Sequence, residues 1–248
     1  MSKATRGAAR ATAPVLHDAV LAILGPEITS GEHAPGTALT LEQLQQRFGV
    51  SRTVMREAMR ILESLRLVDS RRRVGLVVQP MRRWQVLDPR VIRWRLDGPG
   101  RADQLRTLTG LRVAVEPLAA ADAARHADAA DRERLLTLAT RMRQLGEAGE
   151  LDAFLRADVE FHALLLQACR NEMFTALTGV IAEVLAGRTE HGRIPPPGSV
   201  ALDLHERVAR RVAEGDVRGA EAAMRELVEE VRDAISGAAP DGVGAGSP

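Results

Sequence analysis

The chain has 248 residues, of which 45% are hydrophobic and 27% charged, as in globular proteins of one or two domains. It contains no apolar run near the roughly 20 residues of a membrane span, so we expect no membrane helix and no signal peptide. A single cysteine, Cys169, excludes an internal disulfide and a cysteine-based zinc site, and it favours the cytoplasm. Four Phe, two Trp and no Tyr argue against a single-strand binder built on aromatic stacking.

The net charge of +1 conceals an uneven distribution. Residues 1–98 carry 16 Lys/Arg and 9 Asp/Glu, whereas residues 99–248 carry 18 and 24. A basic part followed by an acidic part is typical of a nucleic-acid-binding module joined to a separate sensor or assembly domain. An accidental gradient is the alternative that charge alone leaves open.

Turn-forming and low-complexity segments divide the chain further. The sequence Asp97-Gly98-Pro99-Gly100 is the strongest internal break. We therefore expect a mainly α protein with five parts: a flexible basic arm (1–13), a winged helix-turn-helix domain (14–80), a linker (81–100), an all-helical ligand-binding and dimerisation bundle (101–236), and a disordered tail (237–248).

Three helices are predicted in the N-terminal part. Apolar residues at helical spacing indicate a first helix over 15–28, although Pro26 requires a kink or an early stop. Thr40, with Gln43 as its capping-box partner, begins a helix over Leu41–Phe48. After the turn at Gly49, Ser51 caps a helix over Arg52–Leu65. The last two helices form a helix-turn-helix.

The residues that follow predict a wing. Leu67–Ser70 and Leu76–Val78 read as strands around a basic tip of three arginines, and Gly75 allows close approach to a DNA groove. The second motif helix enters the major groove with its N-terminal residues at base edges. The predicted DNA-binding residues are therefore Arg52, Thr53, Arg56, Arg72, Arg73 and Gly75. A solvated charged face is the alternative for the arginines.

The stretch GVSRTVMREAMRILESLRLVDSRRRVGLVV resembles the DNA-binding domain of GntR-type bacterial repressors, with a match over Leu39–Val78. The resemblance implies operator contacts by Arg52, Thr53, Arg56 and Gly75. It also shows one departure. Many members carry an arginine in the short helix where this chain has Glu42, so one of the usual DNA contacts is absent from that position.

After Gly100 the pattern is helical throughout, and no strand alternation is present. Asp158 and His162 lie four residues apart beside apolar neighbours, so they share a helix face that turns inward. His205 also has apolar neighbours on its own face. Two imidazoles and a carboxylate suit Zn²⁺, Ni²⁺ or Mn²⁺, whereas a surface ion pair between Asp158 and His162 is the alternative. The candidate helices span residues 102–127, 131–147, 151–169, 172–190, 200–214 and 217–235.

This half resembles the helical sensor domain of the FadR-type branch of GntR repressors. Metal-binding members use one Asp and three His. Asp158, His162 and His205 fill three of these positions, but the third His falls on Leu227, so the resemblance implies at most one divalent metal ion with open coordination positions.

The linker stretch RRWQVLDPRVIRWRL (Arg82–Leu96) and the pattern Arg112-xxx-Glu116-Pro117 are similar to those of sugar-acid regulators in this branch. We therefore expect an effector site for a small carboxylate at Arg112, Asp158, His162 and His205, with the Arg112 guanidinium matching two carboxylate oxygens. An i,i+4 salt bridge with Glu116 is the alternative for Arg112. Trp84 and Trp94 are expected to pack the linker helix on both domains.

The sequence therefore predicts a homodimeric repressor that binds double-stranded operator DNA, is released by a small carboxylate such as a sugar acid, and has no enzymatic activity. A metal-dependent hydrolase using Asp158, His162 and His205 is one rival, against which no H-E-x-x-H motif or nucleophile elbow is present in the sequence. A DNA-binding protein without a ligand is the other rival.

Overall fold

The computed structural model describes residues 13–189 and 197–237. The chain divides into two compact units, residues 1–98 and 99–248, and the division falls between Gly98 and Pro99. Each unit is described by itself. The predicted N-terminal arm and C-terminal tail lie almost entirely outside the described residues.

The N-terminal unit is a winged helix-turn-helix, which confirms the predicted fold. Its helices are α1 (Ala13–Ser30), α2 (Leu41–Phe48), α3 (Arg52–Ser64) and α4 (Pro89–Asp97). Its strands are β1 (Ala38–Leu39), β2 (Val68–Arg71) and β3 (Gly75–Val78), in the order β1-β3-β2, with antiparallel pairing throughout.

Local capping fixes the two motif helices. The Thr40 side chain accepts a hydrogen bond from the Gln43 backbone N–H, and the Gln43 side chain accepts one from the Thr40 backbone, so the capping box is complete. Gly49 ends α2 in the left-handed conformation, with φ of 62°. Ser51 then caps α3 by accepting from the Val54 N–H at 3.3 Å.

Two features of this unit differ from the sequence analysis. Helix α1 continues through Pro26 to Ser30 instead of stopping there. The Thr29 hydroxyl donates to the Gly25 carbonyl oxygen at 3.0 Å, so a side chain supplies a hydrogen bond near the proline. Strand β1 has two residues, Ala38 and Leu39, and it was not predicted because so short a segment carries no alternation.

Most of the predicted linker belongs to the N-terminal unit. After a 3₁₀ turn at Met81–Arg83, the Trp84 indole N–H donates to the Gln79 carbonyl oxygen at 2.7 Å. Trp94 of α4 lies in the same core as α1 and α3, directly over Gly25, where an added Cβ would come within 2.6 Å of the indole ring. Both tryptophans therefore anchor the segment after the wing to the N-terminal core.

The C-terminal unit consists of helices in its described residues, with α5 and α7 supplying much of one core. No helix in the described parts of the chain is long and apolar enough to cross a membrane. The helices are α5 (Arg101–His126), α6 (Ala129–Glu147), α7 (Leu151–Ala168), α8 (Glu172–Thr175), α9 (Thr178–Thr189), α10 (Ser199–Glu214) and α11 (Val217–Gly237).

One helix prediction in this unit was wrong. The predicted helix over 172–190 is two helices, α8 and α9, separated by a turn at residues 176–177. The Thr175 hydroxyl donates to the Leu166 carbonyl oxygen at 3.0 Å, and the Thr178 hydroxyl donates to the Thr175 carbonyl oxygen at 2.7 Å. Side-chain bonds to the backbone offer an alternative to the helical ladder, which accounts for the break.

Candidate DNA-binding surface and buried polar cluster

Helix α3 has one buried apolar face and one exposed polar face. Its apolar face is buried in the N-terminal core, and the first turns expose Arg52, Thr53 and Arg56. Because Ser51 caps the helix, these side chains stand at its N-terminal end, where a recognition helix meets base edges. The structure thus places all three predicted base-contacting residues on one exposed surface.

The wing places the remaining predicted contacts at its tip. Arg71 pairs with Gly75 in the β2–β3 register, and the exposed residues Arg72 and Arg73 lie in the turn between them. In the described residues, neither Arg72 nor Arg73 forms an ion pair. Gly75 has φ of +107°, and a Cβ there would lie 2.6 Å from the Leu39 carbonyl oxygen. Glycine is therefore required both by conformation and by the close approach of β1.

Helix α2 carries Glu42 at the position where the resemblance stated above implies an arginine. Glu42 is exposed in the first turn of α2, where a negative charge complements the helix dipole. Arg47 at the other end of α2 donates to both carboxylate oxygens of Glu27 in α1, with one distance of 2.7 Å. The arginine of α2 is thus used to tie two helices together.

Five of the buried polar side chains of the C-terminal unit form a cluster that joins three helices. Arg112 and Glu116 come from α5, Asp158 and His162 from α7, and His205 from α10. Their relative exposures are between 0% and 6%, so the cluster is closed to solvent in this structure. Buried ionisable groups on this scale persist only when they are paired with one another or with a ligand.

Close polar contacts hold both imidazoles beside Asp158. The Nδ1 of His205 lies 2.7 Å from the Ala201 carbonyl oxygen, and its Nε2 lies 3.2 Å from Asp158 Oδ1. The Nδ1 of His162 lies 2.9 Å from Glu116 Oε2, and its Nε2 lies 3.3 Å from Asp158 Oδ1. Fixing one ring nitrogen in this way is how metal-binding histidines are usually held.

Asp158, His162 and His205 could hold a metal ion. One ligand atom from each lies within 4.8 Å of the other two, and the convergence of Nε2 atoms on a carboxylate oxygen fits the donor set of a divalent transition metal. Leu227 lies in the apolar core at 1% exposure and offers no ligand atom. Three protein ligands leave coordination positions open for oxygen atoms of a small molecule.

Charge balance inside the cluster depends on the acidic groups. Burial alone would raise the pKa of Glu116, but the charges of Arg112 and His162 outweigh it and lower this pKa from 4.5 to about 2. Burial opposes the ionised form of Asp158 as well, yet hydrogen bonds from His162 and His205 hold its pKa well below its usual value. Both carboxylates are therefore ionised at neutral pH.

Glu116 accepts hydrogen bonds from two of the three guanidinium nitrogens of Arg112. Its Nε and Nη2 donate to the two Glu116 oxygens at 2.6 and 3.1 Å, so the salt bridge that the sequence left as an alternative is present. Its Nη1 is buried with no hydrogen-bond partner, and so is the Thr109 hydroxyl one turn earlier on α5. Buried polar atoms without partners are rare, and they mark sites where a water, an ion or a ligand binds.

Sequence reasoning missed Glu116 as a member of the cluster. It was considered only as a possible partner of Arg112, whereas in the structure it also contacts His162. An available signal was the i,i+4 spacing to Arg112, which places both residues on one face of α5. The contact with α7 carried no local signal because it joins residues far apart in the sequence.

A winged helix-turn-helix with exposed arginines, followed by a separate helical unit, defines a DNA-binding regulator. Comparison with known families agrees with this class. Residues 16–78 match the family described as "Bacterial regulatory proteins, gntR family", and residues 107–230 match the FCD domain. The chain therefore belongs to the GntR family of bacterial regulators with an FCD domain, and not to a family of enzymes.

Two relatives and one solved structure illustrate the similarity. The galactonate operon transcriptional repressor of Escherichia coli is 29% identical over 168 residues, which cover 67% of this chain and 72% of that protein. A putative L-lactate dehydrogenase operon regulatory protein of E. coli is 27% identical over 201 residues, which cover 73% and 71%. The structure of Lar from Listeria monocytogenes has a TM-score of 0.55 at 17% identity, covers 93% of this chain and 99% of that one, and shows the shared fold.

Proposed function

We propose that this transcription regulator is a homodimeric repressor of a sugar-acid catabolic operon and that a small carboxylate effector releases it from DNA. The observation that supports an effector is the buried Nη1 of Arg112, which has no hydrogen-bond partner, and the same is true of Thr109 Oγ1 and His162 Nδ1. A carboxylate supplies the acceptor that this donor lacks, and a charged hydrogen bond in a buried site is a strong one. The names of two relatives, which refer to galactonate and L-lactate, support a hydroxy acid.

In this proposal the effector lies between Arg112 and the three candidate metal ligands. Asp158, His162 and His205 hold one divalent ion or contact the effector hydroxyl groups directly. A bound ion would supply Lewis acidity and open positions for one carboxylate and one hydroxyl oxygen. Metal and effector then strengthen each other's binding by the same factor, as linkage requires.

The exposed side chains of α3 and of the wing each have a separate role in DNA binding. Arg52 and Arg56 read base edges, because an arginine can donate two hydrogen bonds to guanine. Thr53 contacts a thymine methyl group, while the wing residues Arg72 and Arg73 bind phosphates and Gly75 lets the wing approach the groove. Two copies on inverted half-sites double this footprint, and we expect them to act in the cytoplasm, where operator DNA lies.

Release of DNA requires an effector that discriminates between two states of the protein. An effector with equal affinity for the DNA-bound and free states would shift nothing. We therefore expect the effector to bind the free state more tightly. A protein that binds DNA without any effector is the remaining alternative. The experiment described next identifies it.

The test combines a gel shift on the DNA upstream of the protein's own gene with a thermal-shift screen of sugar acids, each with and without a chelator. We expect one sugar acid to raise Tm and to release the DNA, and we expect the chelator to weaken both effects. His162→Ala should retain operator binding and lose the response to effector. The matched control is His126→Ala, since His126 is exposed at the end of α5.

A response to effector that is the same in His162→Ala as in the unaltered protein would contradict the assigned site.

The DNA contacts are tested separately. Arg52→Ala should weaken the free energy of operator binding by about 1–3 kcal/mol and relax base preference. Arg72→Ala should weaken binding to all sequences alike. Arg60→Ala is the control, because Arg60 lies further along α3 and pairs with Glu57. Unchanged operator affinity in Arg52→Ala would refute the docking arrangement.

A further inference from the structure

The outward face of α5 is uncharged over four helical turns. Between Arg106 and Asp122, the ionisable side chains of α5 are Arg112 and Glu116, and both point into the buried cluster. The outward positions are Thr107, Gly110, Ala114 and Leu118, all exposed, and Leu118 is 47% exposed. A long surface helix normally carries charged residues along its solvent face, so this face requires an explanation.

One ridge of this face has opposite charges at its two ends, at equal distances from its centre. Residues 106, 110, 114, 118 and 122 are spaced four apart and form a continuous ridge along the helix. The ridge begins with a basic residue, Arg106, and ends with an acidic one, Asp122, each eight positions from Ala114. Each end residue pairs within its own helix, Arg106 with Asp103 at 2.8 Å and Asp122 with Arg125 at 2.7 Å.

The same ridge has a small side chain on one side of its centre and a large one on the other. Gly110 and Leu118 are each four positions from Ala114, one on either side. A Cβ at Gly110 would meet nothing within 4 Å, so open space lies above the glycine. The Leu118 side chain projects from the helix and is about half exposed. A ridge with a gap on one side of its centre and a projection on the other is complementary to itself when one copy is turned around.

We propose that a second copy of this chain packs on the ridge Arg106–Gly110–Ala114–Leu118–Asp122, with the two α5 helices antiparallel and a two-fold axis at Ala114. This inference rests on the homodimer of the proposed function and locates its contact. Leu118 of each copy lies over Gly110 of the other, and Arg106 of each copy lies beside Asp122 of the other. A parallel arrangement is disfavoured, since it places Arg106 beside Arg106 and leaves the gap at Gly110 unfilled.

The geometry of helix packing agrees with this arrangement. Ridges of residues spaced four apart interdigitate when two helices cross at about 50°, and this is the commonest class of helix packing. Small residues at the crossing point, here Ala114 with Gly110 beside it, allow the backbones to approach closely. The ridge from residue 106 to residue 122 spans about 24 Å, so the contact extends well beyond a single side chain.

Gly110→Leu separates this contact from folding because the two effects have opposite signs. Gly110 is an exposed residue inside a helix, so leucine should stabilise the isolated subunit by its higher helix propensity. Leucine should also fill the space that Leu118 of the other copy occupies. We expect sedimentation velocity of the full chain to show a dimer dissociation constant raised about 10-fold or more, with Tm of the monomer unchanged or higher.

Charge reversal supplies the second measurement. The double variant Asp103→Arg/Arg106→Asp keeps an opposite-charge pair within the helix but places like charges together across the two-fold axis. We expect it to raise the dimer dissociation constant about 10-fold or more. Adding Asp122→Arg/Arg125→Asp makes the charges complementary again and should restore the dimer. The control is Arg134→Glu/Glu160→Arg, which reverses an exposed pair between α6 and α7.

A disulfide test completes the experiment. Ala114→Cys should form a cross-linked dimer under mild oxidation, whereas Thr140→Cys on the exposed side of α6 should not. A dimer that is insensitive to Gly110→Leu and to charge reversal, with no cross-link at residue 114, would overturn the α5 contact while leaving a dimeric repressor in place. A monomer that binds its operator specifically would overturn both the contact and the proposed dimer, and the effector assay would still be decided by His162→Ala.

Discussion

Replacing Glu116 with glutamine should destabilise the C-terminal unit by about 3 kcal/mol. The carboxylate accepts from Arg112 at 2.6 and 3.1 Å and lies 2.9 Å from His162, with no exposure to solvent. The lowering of the Glu116 pKa from 4.5 to about 2 corresponds to a net stabilisation of the carboxylate by about 3 kcal/mol, which remains after burial has opposed its ionisation. Removing one partner of a buried pair typically costs about 3–5 kcal/mol, because the other charge remains buried.

The assay is urea denaturation at neutral pH with two signals. Far-ultraviolet circular dichroism reports the helices of both units, whereas tryptophan fluorescence reports the N-terminal unit, where Trp84 and Trp94 lie. Glu116→Gln should shift the dichroism transition to lower urea. The double variant Arg112→Met/Glu116→Leu removes both charges and should recover most of the stability while abolishing the response to effector. A loss below about 1 kcal/mol in Glu116→Gln, or a double variant as unstable as the single one, would refute this reasoning.

Three further predictions concern other parts of the chain. Gly75→Ala should destabilise the N-terminal unit and weaken operator binding, because its Cβ would lie 2.6 Å from the Leu39 carbonyl oxygen; unchanged fluorescence-detected unfolding would contradict this. The hydrogen bond from Arg47 is the main cause that lowers the pKa of Glu27, so this pair stabilises the unit above pH 4.5 and the contribution disappears as the pH falls. Glu27→Gln should therefore cost about 1 kcal/mol at neutral pH and flatten the acid dependence of unfolding, and an unaltered acid profile would count against the pair. Arg132 donates to three backbone carbonyl oxygens near the ends of α5 and α10, so Arg132→Ala should cost about 2 kcal/mol by dichroism-detected unfolding, and a neutral effect would mean that water satisfies these carbonyls.

The sequence predicts best where structure is determined by neighbouring residues. The caps at Thr40 and Ser51 and the turn at Gly49 place the helix-turn-helix correctly, because each depends on contacts within a few positions. Strand β1 and the division between α8 and α9 were missed for the opposite reason. The first is held by pairing with β3, and the second involves a bond from Thr175 to Leu166, nine residues away.

The polar cluster was predictable in part. The i,i+4 spacing of Asp158 and His162 places them on one inward face of α7. The 47 residues that separate Asp158 from His205 and the 50 that separate Arg112 from His162 contain no signal of proximity. Which helices meet is decided by packing of the whole bundle, so only a resemblance to related domains could bring these residues together from sequence.

Arg112 was given two interpretations from sequence, an effector-binding residue or a salt bridge, and the structure makes them compatible. The salt bridge uses Nε and Nη2, which leaves Nη1 for another acceptor. Stability alone does not explain the pair, because well-packed apolar side chains in the same volume stabilise a core as well or better. The pair does hold the guanidinium rigidly, so the free donor has one direction and little entropy to lose when an acceptor arrives. In the proposed function, the ion pair would therefore be the support that positions Arg112 for the effector.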